Sequence, residues 1–240
     1  MQKSSLKKGM EVLAIIPARG GSKSIPHKNI RILNGHPLIA YSIVSALKAK
    51  RVSRVIVSTD YESIAKISLK YGAEVPFMRP TELAQDDTPD LPVFEHALGW
   101  LEREEGYIPK MIVHLRPTSP LRTAWHIDEA IGRLANDKNA DSIKSVCRPV
   151  QNPFRMWAIR GKYLEPLIKT NIKEQHNCAR QLLPDVYWQN GHVDVIRYNT
   201  IMRKHSMAGD RVLPYVMDEK YMIDIDSVSD IKIAEAMMEK

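Results

Sequence analysis

Apolar residues recur over the first 146 positions in two alternating rhythms. Short runs rich in β-branched residues, EVLAIIP at 11–17, RVIVST at 54–59, KMIVHL at 110–115 and DSIKSV at 141–146, read as buried strands. Between them, PLIAYSIVSALKAK, YESIAKISLKYG, LPVFEHALGWLEREEG and IDEAIGRLANDK space their apolar residues as helices packed on a sheet do. Gly72 is placed to close the second helix. AEVPFM at 73–78 predicts a third strand, kept to the sheet edge by its proline. The alternation predicts an α/β fold, a mostly parallel sheet with helices on both faces. In such sheets the ligand lies beyond the carboxyl ends of the strands.

The rhythm breaks between Arg148 and Gln189, a stretch rich in Pro, Arg, Asn and Gln without a clear period. It predicts a small inserted arm suited to dimer contacts. GHVDVIR and YMIDID then predict two more strands, and a last helix starts near Val228. The expected organisation is one domain over residues 11–240 with an insertion at about 148–189, preceded by a disordered basic tail at 1–10.

Composition narrows the classes of function. At 240 residues and 44% hydrophobic content the chain can bury a sizeable core. A net charge of +7 points to an anionic partner: a nucleotide, an acidic sugar, nucleic acid or a membrane surface. No apolar run approaches membrane-spanning length, and the opening MQKSSLKK is too polar for a signal peptide. Cys147 and Cys178 lack CxxC spacing, and none of the eight histidines has metal-binding spacing. These features predict a cytoplasmic protein with reduced thiols and no membrane or zinc site. A basic nucleic-acid-binding protein is the competing class. Against it, no such motif occurs, and the cations sit in strand-end loops rather than along one helix.

The candidate chemistry lies in those loops. IIPARGGSKSIPHKN follows the first strand directly. Gly20 and Gly21 can take positive φ, so that successive N–H groups converge on an anion, and Arg19, Lys23 and Lys28 add charge. Neither the P-loop nor the Rossmann glycine pattern is present, and a solvated turn has the same composition. In YMIDID, Asp224 and Asp226 two apart on a strand would present both carboxylates on one side, as a magnesium site with substrate phosphates needs. Spacing alone favours helix capping by Asp226 or Ser227, with Asp230 in the first turn. Asp60, in STD, reads as a cap of the following helix, and the acidic run after Arg79 as a solvated loop. HLRPTSPLRT sets Arg116 and Arg122 around a stiff loop suited to a ligand wall.

In this order, IPARGGSKSIPHKNI, VSTD, RPTELAQD, RPTSPLR, QNG and IDID resemble the acylneuraminate cytidylyltransferases, the CMP-sialic acid synthetases. The likeness spans roughly Val12 to Asp230. It implies a Rossmann-like nucleotidyltransferase, a homodimer through its inserted arm, that joins CTP to an α-keto acid sugar with Mg²⁺ or Mn²⁺ and releases pyrophosphate. By position it puts Ala18, Arg19, Gly20, Gly21, Ser22, Lys23 and Lys28 on the nucleotide, with Asn29 and Arg79 beside the cytidine. Arg19, Lys23, Asp224 and Asp226 would be catalytic, the two aspartates holding the metal. Asp90, Arg116, Thr118, Ser119, Arg155, Arg180, Gln189, Asn190 and Asp194 would face the acceptor.

The acceptor end departs from the family pattern. Arg116 replaces a common glutamine, Asp90 a common small serine, and Asp194 a common wall tyrosine. The resemblance therefore implies an acceptor other than ordinary N-acetylneuraminic acid. Another nucleotide, or a phosphorylated or non-sugar acid acceptor on the same fold, remains the alternative.

Overall fold

The computed structural model describes residues 11–238, so the tail expected at 1–10 lies outside the described residues. Val12–Pro17 (β1), Ile32–Leu33 (β2) and His36–Pro37 (β3) lead into Leu38–Lys48 (α1), then Arg54–Ser58 (β4) and Glu62–Lys70 (α2). Asp90–Glu105 (α3), Met111–His114 (β5), Ala124–Asn136 (α4) and Ser142–Cys147 (β6) follow. The hairpin of Trp157–Arg160 (β7) and Tyr163–Pro166 (β8) precedes Trp188–Arg197 (β9), Tyr198–Met202 (α5), Val212–Val216 (β10) and Val228–Met238 (α6).

The main sheet has the order β10-β6-β9-β5-β1-β4. Only β9 runs antiparallel to its neighbours, so the sheet is mostly parallel. Alternation along β1 explains the layers. Val12, Ala14 and Ile16 join Ile39 and Ile43 of α1 and Ile127 and Ile131 of α4. Leu13 and Ile15 face the other way, against Phe94, Leu98 and Leu101 of α3 and Ile201 of α5. Both faces are covered, which is why β1 is apolar throughout. Gly72, at φ 93°, closes α2 as expected.

Two expected elements differ, and one strand is present that the sequence did not predict. AEVPFM forms only isolated bridges, Ile56 to Glu74 and Thr59 to Met78, because Pro76 interrupts the ladder between them. YMIDID is not a strand; a 3₁₀ turn at Glu219–Tyr221 leads into irregular chain. The sheet's edge is filled instead by β10, whose Pro214 is tolerated at an edge. The IDID alternation is nevertheless real. Ile223 and Ile225 bury against Ile25, Leu33, Leu38 and Ile231, pinning the segment beneath the first loop.

The chain leaves the sheet after Cys147 and rejoins it at Trp188, where β9 starts. Buried Gln175 orders this arm: its Nε2 donates to the carbonyls of Phe154 (2.8 Å) and Ile168 (2.6 Å), and its Oε1 accepts from the Thr170 N–H (2.9 Å). Both cysteines are free. Among the described residues no helix is long and apolar enough to cross a membrane.

Candidate active site

A cleft of about 450 Å³ opens at the carboxyl ends of β1 and β5. The loop after β1, the segment after Arg79, the start of α3 and the Arg116–Thr118 loop enclose it. Of the expected site residues, Arg19, Ser22, Lys23, Lys28, Asn29, Arg79, Asp90, Arg116, Thr118 and Asp226 line it. The structure thus brings together positions more than 200 residues apart in the chain.

The first loop is built differently from the expectation. Neither Gly20 nor Gly21 has positive φ. Gly20 is small because a Cβ there would lie 2.8 Å from the Tyr61 Cβ, while a Cβ on Gly21 meets nothing within 4 Å. The Gly20 N–H donates to Asp60 Oδ1 at 2.9 Å, so Asp60 tethers the loop and does not cap α2, whose Tyr61 N-cap has no side-chain bond. Asn29 Nδ2 donates to the Arg19 carbonyl (2.9 Å), fixing the residue that carries the leading cation. Ala18 is buried, its N–H on the Ser58 carbonyl (2.9 Å).

Arg19 Nη1 lies 2.7 Å from Asp86, whose second carboxylate oxygen takes Lys23. These lysine and arginine contacts hold the Asp86 carboxyl below its ordinary range. The acidic run is therefore no mere solvated loop: Asp86 sits between the cations where an anionic ligand would lie. Sequence reasoning missed it, although RPTELAQD contains it. Arg79 is buried, donating from Nε to Ser58 Oγ (3.1 Å) and from Nη2 to the Ser58 carbonyl. Burial pushes its guanidinium down to about 10, which still leaves it charged at neutral pH.

On the opposite wall the Ile225 N–H donates to the Thr118 carbonyl (2.9 Å). Lys28 Nζ meets Asp226 Oδ1 at 2.9 Å. Capping of α6 falls to Ser227 and Asp230: the Asp230 N–H donates to Ser227 Oγ (3.3 Å), and Asp230 Oδ2 accepts from the N–H groups of Asp226 (3.0 Å) and Ser227 (2.6 Å). Asp224 and Asp226 are thereby free of that role. Asp224 Oδ1 is buried with no partner, and burial, then the Asp226 charge, raises its carboxyl above the ordinary value. A partnerless carboxylate oxygen beside a second carboxylate fits a hard divalent cation. Among the described residues no group of three or more His, Cys, Asp or Glu side chains could hold a metal, so phosphate and water would complete its shell.

The acceptor-end residues divide. Asp194 does not line the cleft: it is fully buried on β9, because Lys144 Nζ (3.0 Å) and Gln189 Nε2 (3.1 Å) pair with its Oδ2 there. Asn190 is buried, its Oδ1 accepting from the His192 N–H (3.2 Å), and Ser119 is buried without a side-chain partner. Arg155 and Arg180 stand on the arm, bonded to the carbonyls of Cys178 and Pro149, away from this chain's cleft. Arg122 is buried structure, donating to the His192 and Arg116 carbonyls. His114, unforeseen, lines the cleft from the end of β5; burial, then the nearby Arg116 and Lys144 charges, keeps it neutral. Lys144 was legible as a lone cation amid a buried strand.

Comparison with known proteins gives this geometry a context. The cytidylyltransferase family matches residues 13–208. The chain is 33% identical to a post-translational flagellin modification protein B of Campylobacter coli, over 96% of both chains. It is 34% identical to a CMP-N,N′-diacetyllegionaminic acid synthase of Campylobacter jejuni, over 95% of both. Its fold superposes on a CMP:2-keto-3-deoxy-manno-octonic acid synthetase complexed with CTP, with a TM-score of 0.69 at 13% identity, covering 95% of this chain and 98% of that one.

Proposed function

The chain belongs to the cytidylyltransferase family, and on that premise we propose that its cleft joins CTP to an acidic, sialic-acid-like α-keto acid sugar, giving a CMP-sugar and pyrophosphate. The observation that carries this reading is the convergence of Arg19, Lys23, Lys28 and Arg79 with Thr118 and Asp226 around one cleft at the strand ends.

In this reading Arg19, Lys23 and Lys28 bind the triphosphate, with Ser22 and the loop N–H groups as further donors. Triphosphate charge displaces Asp86 from Arg19 and Lys23, so the cations pass from an internal anion to the substrate. Asn29 and buried Arg79 bound the base. In-line attack by the acceptor hydroxyl on the α-phosphate builds negative charge on the phosphoryl and leaving oxygens, which fixed cations stabilise. Mg²⁺ or Mn²⁺ held by Asp224 and Asp226 would supply Lewis acidity at the phosphate and lower the hydroxyl's pKa. Lys28, bonded to Asp226, keeps that carboxylate aimed into the cleft.

The arm supports a homodimer. It exposes Val150, Trp157, Ile159, Tyr163 and Leu164, apolar side chains that a second copy would cover, and it carries Arg155 and Arg180 with them. A cytoplasmic site of action agrees with the nucleotide substrate.

A pyrophosphate-release screen of four nucleoside triphosphates against acidic sugars and phosphorylated acceptors tests the reading. Release with CTP and an α-keto acid sugar is expected. Turnover only with another nucleotide, or only with a phosphorylated acceptor, would move the chain to the alternative on the same fold.

A further inference from the structure

One cation in the cleft is held far more elaborately than packing requires. Arg116 follows β5, and its guanidinium is fixed on two sides. Nη2 donates to Asp90 Oδ2 at 3.1 Å on the cleft side. Nη1 donates to the Gly191 carbonyl (3.4 Å) and lies 3.7 Å from Asp194 Oδ2 behind. Asp194 is itself buried against Lys144, and burying such a pair costs desolvation that an apolar pair would avoid. Gly191 has φ 70°, and a Cβ there would sit 3.1 Å from Arg116 Nη1. The irregularity of β9 at Asn190–Gly191 is therefore shaped around this side chain.

What the cation presents to the cleft is tempered by Asp90. The two side chains are 30% and 42% exposed, and together they carry no net charge. Beside them His114 is neutral and reaches 3.8 Å from the same Asp90 oxygen. Among the described residues Asp90 Oδ1 accepts no hydrogen bond, and the guanidinium keeps donors unspent. A ligand carboxylate would meet repulsion from Asp90, and an ammonium repulsion from Arg116. A neutral group offering both a donor and an acceptor satisfies both.

We propose that Arg116 and Asp90 form one specificity element that reads a neutral donor-and-acceptor substituent of the acceptor, an acylamino group or a hydroxyl, and not its carboxylate. Asp194, Lys144 and Gly191 are positioning residues that hold the guanidinium in place. The inference rests on the function proposed above.

The test compares specificity constants, by pyrophosphate release at saturating CTP and Mg²⁺, for three keto-acid sugars. These are 2-keto-3-deoxy-manno-octonic acid, N-acetylneuraminic acid and N,N′-diacetyllegionaminic acid, bearing no, one and two acylamino groups. The wild type should spread the three by about tenfold or more, since a site built to bond a polar group rejects its analogue. Arg116→Gln, Asp90→Asn and Gly191→Ala should each narrow that spread about tenfold, chiefly through the acceptor KM, with CTP binding and the melting temperature of Asp90→Asn unchanged. Arg116→Lys, which keeps the charge without the fork, should narrow it too. Preference rising with acylamino count assigns that group, and preference for the octonic acid assigns the hydroxyl. Equal losses on all three acids, as a carboxylate clamp would give, overturn the proposal, as do unchanged ratios. A wild type inactive on all three would instead sink the function itself, and the inference with it.

Discussion

The backbone N–H of Gly20 donates to the carboxylate of Asp60 at 2.9 Å, joining the start of the first loop to the segment just after β4. The bond sets how near the loop lies to Tyr61, which leaves no room for a side chain at Gly20. The two glycines therefore have different reasons to exist. Gly20→Ala should displace the loop, lowering turnover and costing about 1–3 kcal/mol of stability as an overpacking change. Gly21→Ala, which points into open space, should cost far less. Chemical denaturation and steady-state rates on the two variants check the contrast, and equal effects would show that the Tyr61 contact is unimportant.

Arg19→Ala should lower turnover more than it weakens CTP binding. Charge on the transferred phosphoryl and the leaving group grows toward the transition state, where a fixed donor contributes about 3 kcal/mol, roughly 100-fold in rate. A raised KM for CTP with unchanged kcat would show uniform binding in its place.

Asp224→Asn and Asp226→Asn should each remove most turnover while the fold survives. Asp230 and Ser227 cap α6 and the flanking isoleucines do the packing, and an amide at 226 still offers an oxygen to Lys28, so the fold does not depend on either charge. Rates titrated against Mg²⁺ read the effect. Wild-type rates for both variants at limiting metal would refute the assignment of the metal to this pair.

Acid sensitivity should appear away from the cleft, at Asp141. Its carboxylate accepts from Lys204 Nζ (2.9 Å) and from the N–H groups of Asp210 (2.9 Å) and Arg211 (3.1 Å), just before β10. Those bonds, the lysine first, lower its carboxyl to about 2. A depressed carboxyl stabilises the fold above its unfolded value near 3.9, and that contribution fades as pH falls toward 2. Asp141→Asn should thus be less stable than the wild type at pH 7, with the gap closing below about pH 3. Melting curves across pH measure it; a gap that is constant with pH would remove the charge from the account.

The half proposed for the nucleotide was legible because local signals and the end of a strand coincide there. Apolar β1 ends directly in Arg19 to Lys28, so a strand-end loop with cations could be placed before any tertiary contact was known. The acceptor half was not. Asp194 sits in an alternating strand, and nothing in GHVDVIR tells whether it faces a ligand or Lys144 one strand away. Pairing of β9 between β5 and β6 decides that, and pairing is not local. Likewise Pro214 concealed β10, and the inward isoleucines of IDID gave a strand rhythm to chain that bonds to a loop instead.

The reversed direction of β9 gives the molecule a division of labour. Its neighbour β5 ends at the cleft, whereas β9 begins on that side of the sheet, receiving the chain straight from the arm. Residues 148–197 consequently form one continuous cassette, in which outward surface and the backing of Arg116 are consecutive stretches of polypeptide. Residues 12–79 carry Arg19, Lys23, Lys28 and Arg79, four cations of the cleft, on a separate span. Substitutions that shift the footing of Arg116, though not Arg116 and Asp90 themselves, can accumulate in the cassette without crossing the span that carries those cations. The outward surface of the arm and the footing of Arg116, sharing one stretch of chain, are then free to diverge together.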